Sequence, residues 1–262
     1  MTEPFVTTQG SLKVFVGFDP RDWAAYNVAV RSLLKHASIP VTVIPLVDRD
    51  LRRRGIYTRA YSVDSHGQMW DARDGKPFST QFTFTRFAVP FLCGYADEWA
   101  LFVDADVMFR TDVAELLAYT RDDGFDPPTP ALHCVQHSYH PSERMKMDGV
   151  LQTVYRRKNW SSVMLMNPAR CKALTIKALN EWPGSDLHGF VWLDDDQIGA
   201  LGAEWNHLEG EQTCSRPPKL VHYTLGTPDM RPGADFADEW WAYHEEAGRI
   251  VYPLTNTRET VA

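Results

Sequence analysis

The sequence predicts an α/β fold, a mostly parallel central sheet flanked by helices in a single domain. Three observations carry this expectation. Short apolar, β-rich runs alternate with segments whose apolar residues recur at helical spacing. The first fifty residues read as a β-α-β unit, which implies a parallel pair joined by a right-handed crossover. Acidic residues also stand directly after apolar runs, where an open α/β sheet binds its ligands.

Composition narrows the classes of function. A chain of 262 residues can bury one sizeable core, and 44% hydrophobic with 23% charged residues is the balance of an ordinary globular protein. The formal charge of −7 argues against a duplex nucleic acid partner, whose binding draws on clustered Lys and Arg. The dense basic clusters, Arg52-Arg53-Arg54 and Arg156-Arg157-Lys158, are each too short to form a basic tail. Four cysteines, Cys93, Cys134, Cys171 and Cys214, form no C-x-x-C pair, which fits a reduced chain. The start "MTEPFVTTQG" has no basic segment followed by an apolar one, and no apolar run approaches the roughly 20 residues of a membrane span. A cytoplasmic location is therefore expected.

The elements follow in order. "LKVFVGF" (12–18) reads as a strand, "DPRDWAAYNVAVRSLLKHA" as a helix with Asp and Pro at its start, and "VTVIPLV" (41–47) as a second strand. From Asp48 to Ser79 the pattern dissolves, which suggests an irregular excursion near an active site. "TQFTFTRFAVPFLCGY" looks helical up to Pro90, with Arg86 pointing away from the face of Phe84, Phe87 and Ala88. "ALFV" (100–103) is a buried strand, and "TDVAELLAYT" a helix capped by Thr111 or Asp112. "ALHCVQH" is expected to be a strand ending at His137, and "SVMLMN" another, leading into a helix with Asn167 as cap and Pro168 at its first position. An acidic helix start "WLDDDQIGAL", the piece "EWNHLEGE", a strand "KLVHYTL" and a helix "DFADEWWAYHEEA" complete the chain. Trp240 and Trp241 on that last helix are read as packing against the domain, because basic neighbours suited to a membrane surface are lacking.

Chemistry concentrates at "LFVDADVMF". Residues two apart on an extended chain point to opposite sides, but a turn at Ala105 can aim both Asp104 and Asp106 at one cation, and hard oxygens suit Mg²⁺ or Mn²⁺. A D-x-D pair is short, and the same acids can instead cap the turn that follows the strand. The trio Asp194-Asp195-Asp196 is either a cap at a helix start or a second functional cluster, since crowded carboxylates repel unless something offsets them.

The block from Phe82 to Leu117, an aromatic helix with Arg86, a buried strand, the D-x-D and a second helix, resembles the centre of GT-A (Rossmann-like) nucleotide-sugar glycosyltransferases. Within that group it is similar to glycosyltransferase family 8, where a strand ends in "LYLDADTLV"-type sequence. The likeness extends to "VFVGFDPRDWAAYNVAVRSLL", "NWSSVMLMNP", "WLDDDQIGALGAEWN" and "KLVHYTLGTP", covering roughly residues 12 to 230. It implies a nucleotide-binding half over 12–110, a donor-sugar and acceptor half over 111–230, and a C-terminal helical tail over 231–262.

Carried over position by position, the resemblance places Asp19 near the base or ribose and Arg86 near the diphosphate or donor sugar. Asp104 would touch ribose and metal, Asp106 metal and diphosphate, and His222 would complete the coordination of Mn²⁺ or Mg²⁺. Asp195 is expected to hold the donor sugar and Asp196 to lie below the anomeric carbon, in the register that aligns Ile198 with the family's apolar position. Lys158 and Asn159 would border the donor, and Trp160, Trp192, Trp205 and Asn206 raise the question of a carbohydrate-facing surface.

The sequence departs from the family's H-F-x-G-x-x-K-P element: "HYTLGTPDMR" carries its Gly one place later and lacks the phosphate-binding Lys. Arg231, Lys219, Lys158 or Arg157 then have to supply the missing cation, Lys158 being ranked first. The resemblance implies a retaining transfer from a nucleotide diphosphate sugar, UDP-linked by expectation, to a carbohydrate or small-molecule acceptor. An inverting course would need a general base, for which His137, His140 and His207 are candidates. The competing functions are a nucleotidyltransferase or nucleotide-sugar pyrophosphorylase, against which "GFDPRDW" lacks a Gly-rich basic loop, and a nucleotide-sugar or glycan binding module without turnover.

Overall fold

Strand β1 (Leu12–Phe18) is buried along nearly its whole length, as its apolar run requires. In the computed structural model, which describes residues 10–121, 129–138, 157–213 and 215–247, a 3-10 turn at Pro20–Asp22 leads from it into helix α1 (Trp23–His36). Helical spacing turns Ala25, Val28, Ala29 and Leu33 inward. The chain returns as β2 (Val41–Val47), parallel to β1 with Leu12 opposite Val41 and Phe18 opposite Val47. The β-α-β unit is as expected.

The excursion that follows is more regular than its sequence suggests. It holds α2 (Asp48–Arg53) and a small antiparallel sheet of β3 (Tyr61–Val63), β4 (Met69–Asp71) and β5 (Pro77–Phe78). Strands of two or three residues are too short to show an alternation. The buried pair Arg59–Asp71 at 2.6 Å ties this sheet down, with Arg59 also donating to the carbonyl of Trp182.

The aromatic segment forms a 3-10 turn (Thr85–Ala88) that runs on past the expected stop as α3 (Val89–Leu92). Pro90 sits in the first turn, where a missing N–H leaves no bond unmade. Strands β6 (Ala100–Val103) and β7 (Val107–Phe109) flank the acids, and Asp112 caps the 3-10 helix Val113–Thr120 by accepting from the N–H of Ala114. Strand β8 (Leu132–Cys134) stops short of His137, and β9 (Val163–Met166) follows as expected.

Asn167 and Pro168 start only one 3-10 turn; helix α4 (Ile176–Glu181) begins afresh at the Thr175 cap, followed by α5 (Gly184–His188). The acidic trio likewise opens no more than a 3-10 turn (Asp195–Gln197), with Asp194 at its N-cap in a capping box with Gln197. The turn runs directly into β10 (Ile198–Ala200). The remaining elements are β11 (His207–Leu208), β12 (Leu220–His222) and α6 (Ala237–Ala247).

The main sheet has the order β10-β8-β9-β6-β1-β2. Its strands run parallel except β9, which is antiparallel to both β6 and β8. A second sheet, β11-β12-β7, lies beyond the end of β6. Phe15, Phe87, Phe102, Phe109 and Phe190 are fully buried, each burial contributing about 1.5–3 kcal/mol. Helix α6 rests on α1 through Lys35–Glu246 and His36–Tyr243, with Trp240 buried and Trp241 exposed. Cys93, Cys134 and Cys171 are free, and burial pushes their thiols up to about 12. Cys214 lies outside the described residues. No helix among the described residues is long and apolar enough to cross a membrane.

Candidate active site

Between β6 and β7 the chain turns over the buried Ala105 and passes from the main sheet to the small one. The turn is fixed by backbone bonds, from the N–H of Asp104 to the carbonyl of Ser162 (2.9 Å) and from the N–H of Tyr223 to the carbonyl of Asp106 (2.9 Å). Antiparallel pairing of β12 with β7 sets His222 opposite Val107, next to Asp106. Strand register is what brings a distant imidazole to the acids. The Nε2 of His222 lies 3.3 Å from Asp106 Oδ1 and 4.0 Å from Asp104 Oδ2. One ligand atom from each residue falls within 4.8 Å of the others. Two carboxylates and one imidazole make an oxygen-rich donor set that fits Mn²⁺ or Mg²⁺, the nitrogen favouring the transition metal.

Arg86 lies beneath the acids. Its Nη1 is 2.8 Å from Asp104 Oδ1 and donates to the carbonyl of Ser161 (2.9 Å), while Nε donates to that of Thr83 (3.1 Å). The guanidinium also stands 5.0 Å from the ring centre of Phe102. A buried cation so held offsets part of the repulsion between the neighbouring carboxylates.

These groups line one cleft. Lys158, Asn159 and Ser161 line one wall, and residues from the excursion, among them Lys76 and Ser79, line another. Asn159 is left-handed (φ 63°), a conformation that Asn tolerates better than most residues. His188, also on the cleft, bonds through Nδ1 to Ser161 Oγ at 2.8 Å. Complete burial holds its pKa well below the usual value, with Arg86, Lys158 and Arg59 adding to the effect, so the ring is neutral.

Sequence reasoning missed Ser161, His188, Lys76 and Ser79. Only the position of the excursion near an active site pointed to the last two.

Asp19 is fully buried and does not line the cleft. Its carboxylate accepts from the Arg21 backbone and guanidinium and from the N–H of Gln81. Burial raises its pKa, but these donors outweigh burial and the net shift is downward. Asp19 thereby pins the segment before Phe82 to the end of β1.

Asp195 and Asp196 also stand apart from the cleft. Both are exposed; Asp195 is ion-paired with Arg157 and borders a neighbouring cavity with His137 and Trp160. The expectation that they face the reacting carbon has no support in this arrangement, because the segment is a turn entering an edge strand. Of the cations considered for the missing Lys, Arg231 is engaged by buried Glu209, Lys219 by Glu115 (2.6 Å) and Arg157 by Asp195 and the carbonyl of Gly189. Lys158 is the one among them that lines the cleft.

His137 bonds to Gln212 (3.0 Å) and Asn206 (3.0 Å), and its pKa is lowered to about 4 by burial and then by His222. Burial lowers that of His207 too. Trp160 donates to the carbonyl of His137 (2.9 Å), and Trp205 is core. His140 and Arg156 lie outside the described residues.

No protein-family model matches the sequence. Among solved structures, the galactosyltransferase LgtC in complex with donor and acceptor sugar analogs superposes with a TM-score of 0.54 at 12% identity, over 92% of this chain and 98% of that one. The bifunctional glycosyltransferase WbbM gives 0.58 at 14% identity over 93% of this chain, and the glycosyltransferase GlyE of Streptococcus pneumoniae TIGR4 gives 0.50 at 16% over 89%. The chain spans half the length of WbbM and 60% of GlyE. These likenesses establish the GT-A fold that the sequence motifs led one to expect. Protein CDI of Arabidopsis thaliana is 42% identical over 243 residues, 89% of this chain and 86% of that protein. The chain belongs to the same family as Protein CDI.

Proposed function

We propose that the protein is a metal-dependent glycosyltransferase that moves a sugar from a nucleotide diphosphate sugar, with UDP as the nucleotide, to a carbohydrate or small-molecule acceptor. One observation carries the reading: a ligand atom from each of Asp104, Asp106 and His222 lies within 4.8 Å of the others, and all three residues line one cleft. The GT-A fold adds weight, and retention of configuration rests on the family 8 resemblance.

Asp104, Asp106 and His222 would hold Mn²⁺ or Mg²⁺, which when bound supplies Lewis-acid neutralisation of the departing diphosphate. Arg86 pairs with Asp104 and aims its carboxylate, and burial of the guanidinium makes its charge act at short range. Lys158 presents an ammonium from the cleft wall to the leaving group, in the role of the absent family lysine. Asn159 and Ser161 offer polar groups to the donor from the same wall.

A thermal-shift panel of nucleotides and nucleotide sugars, with and without Mn²⁺, tests this reading. A ligand present at a hundred times its Kd stabilises by about 2.7 kcal/mol, a rise of roughly 5–10 °C for a chain of this size. UDP and one UDP-sugar should produce it with Mn²⁺ only, and that sugar should then support UDP release. Stabilisation without release under any metal would favour a binding module. Pyrophosphate formation from a nucleoside triphosphate and a sugar phosphate would favour a pyrophosphorylase.

A further inference from the structure

The side chain of Asn206 is fully buried behind the metal-ligand cluster. Its Nδ2 faces the carbonyl of Asn159 (3.2 Å), Ser162 Oγ (2.9 Å) and His137 Nε2 (3.0 Å). A carbonyl can only accept, and the Ser162 hydroxyl donates its own proton to the same Asn159 carbonyl (2.6 Å), leaving Oγ to accept as well. These neighbours fix which end of the amide is nitrogen. Oδ1 therefore points the other way, 2.9 Å from His222 Nδ1, and being an acceptor it demands a proton there. With Nδ1 protonated, the neutral ring turns a bare Nε2 lone pair toward Asp106 and Asp104.

We infer that Asn206 is the positioning residue of this site: it selects the Nδ1–H tautomer of His222 and so keeps Nε2 available as a metal ligand. The competing tautomer would donate Nε2–H to Asp106 Oδ1 at 3.3 Å, satisfying the acid while removing the ligand. The same amide holds Asn159 and Ser162, so the cleft wall and the metal cluster share one anchor. The inference rests on the metal reading above for its consequence, but the tautomer itself is a property of the metal-free chain.

The test is ¹⁵N-histidine NMR on the metal-free protein at alkaline pH, where imidazoles are neutral, together with a Mn²⁺ titration followed by electron paramagnetic resonance. Residue 222 should show Nδ1–H in the parent and Nε2–H in Asn206→Leu, and Mn²⁺ affinity should fall 10- to 100-fold in that variant. Asn206→Asp keeps an acceptor in place and should retain the Nδ1–H tautomer. Nε2–H in the parent, or an unchanged tautomer and Mn²⁺ affinity in Asn206→Leu, overturns the inference. Should Asn206→Leu fail to fold, the parent and Asn206→Asp spectra decide. A parent with Nδ1–H that binds no Mn²⁺ would sink the metal reading and leave the role of Asn206 in setting the tautomer standing.

Discussion

His222 Nε2 stands 3.3 Å from Asp106 Oδ1 because the antiparallel pairing of β12 with β7 sets residue 222 opposite Val107. The cluster is therefore a product of sheet register, and a polar contact so placed in a cleft points to a ligand more than to stability.

Replacing Asp106 or His222 by Ala should abolish Mn²⁺ binding and lower turnover by on the order of 10³-fold, the loss of several kcal/mol of charge stabilisation. Asp106 is partly exposed and its structural bond to Tyr223 runs through the backbone, so Asp106→Ala should still unfold cooperatively. A collapsed melting transition would instead make Asp106 a turn-capping residue.

Lys158 and Arg231 should separate function from stability. Lys158→Ala should reduce turnover by about 10²-fold with little change in Tm, as expected for a cleft-wall cation that stabilises a leaving group. Arg231→Ala strands the buried carboxylate of Glu209 and should cost about 3–5 kcal/mol of stability, read by denaturant unfolding. The reverse pattern would give Arg231 the phosphate-facing role.

Asp195→Asn and Asp196→Asn should leave Mn²⁺ affinity and turnover within a few-fold of the parent, because neither residue lines the cleft. Steady-state kinetics with the identified donor checks this. A drop of 10²-fold or more in either variant would return these acids to the reacting carbon.

His133 is buried between Trp99 and Tyr119, with neither ring nitrogen hydrogen-bonded among the described residues. Burial lowers its pKa from 6.5 to about 4. Between those values the unfolded chain takes up a proton that the folded one refuses. Stability is thus full above pH 6.5 and falls as pH drops toward 4, by up to ~1.4 kcal/mol per pH unit. His133→Met should flatten part of that decline in urea unfolding followed from pH 7 to 4.5. An identical slope in parent and variant would mean that His133 is already solvated and protonated in the folded state.

What the sequence made legible was whatever repeats a period or punctuates an apolar run. The β-α-β start and the strand before Asp104 were readable from their buried apolar residues, and the C-terminal helix from the helical spacing of its inward Trp240, Tyr243 and Ala247. The small β3-β4-β5 sheet was not, since two- and three-residue strands carry no pattern. Asp195 and Asp196 were legible as a cluster but not in their role, because an acidic cluster serves a turn entering an edge strand as well as it serves a sugar. Asp19 is the same case, an acid at a strand end that accepts from Arg21 and Gln81. The contacts of Asn206 and His188 could be found only in three dimensions, because their partners come from distant segments.

The central claim is that two acids and a late-strand imidazole hold one divalent cation beside a nucleotide diphosphate. The most direct measurement is anomalous diffraction at the manganese edge from crystals grown with Mn²⁺ and UDP. The expected result is one peak within coordination distance of Asp104, Asp106 and His222 Nε2, with the diphosphate beside it and Lys158 facing the phosphates. No peak there, or a peak with the His222 ring turned away from it, would contradict the assignment.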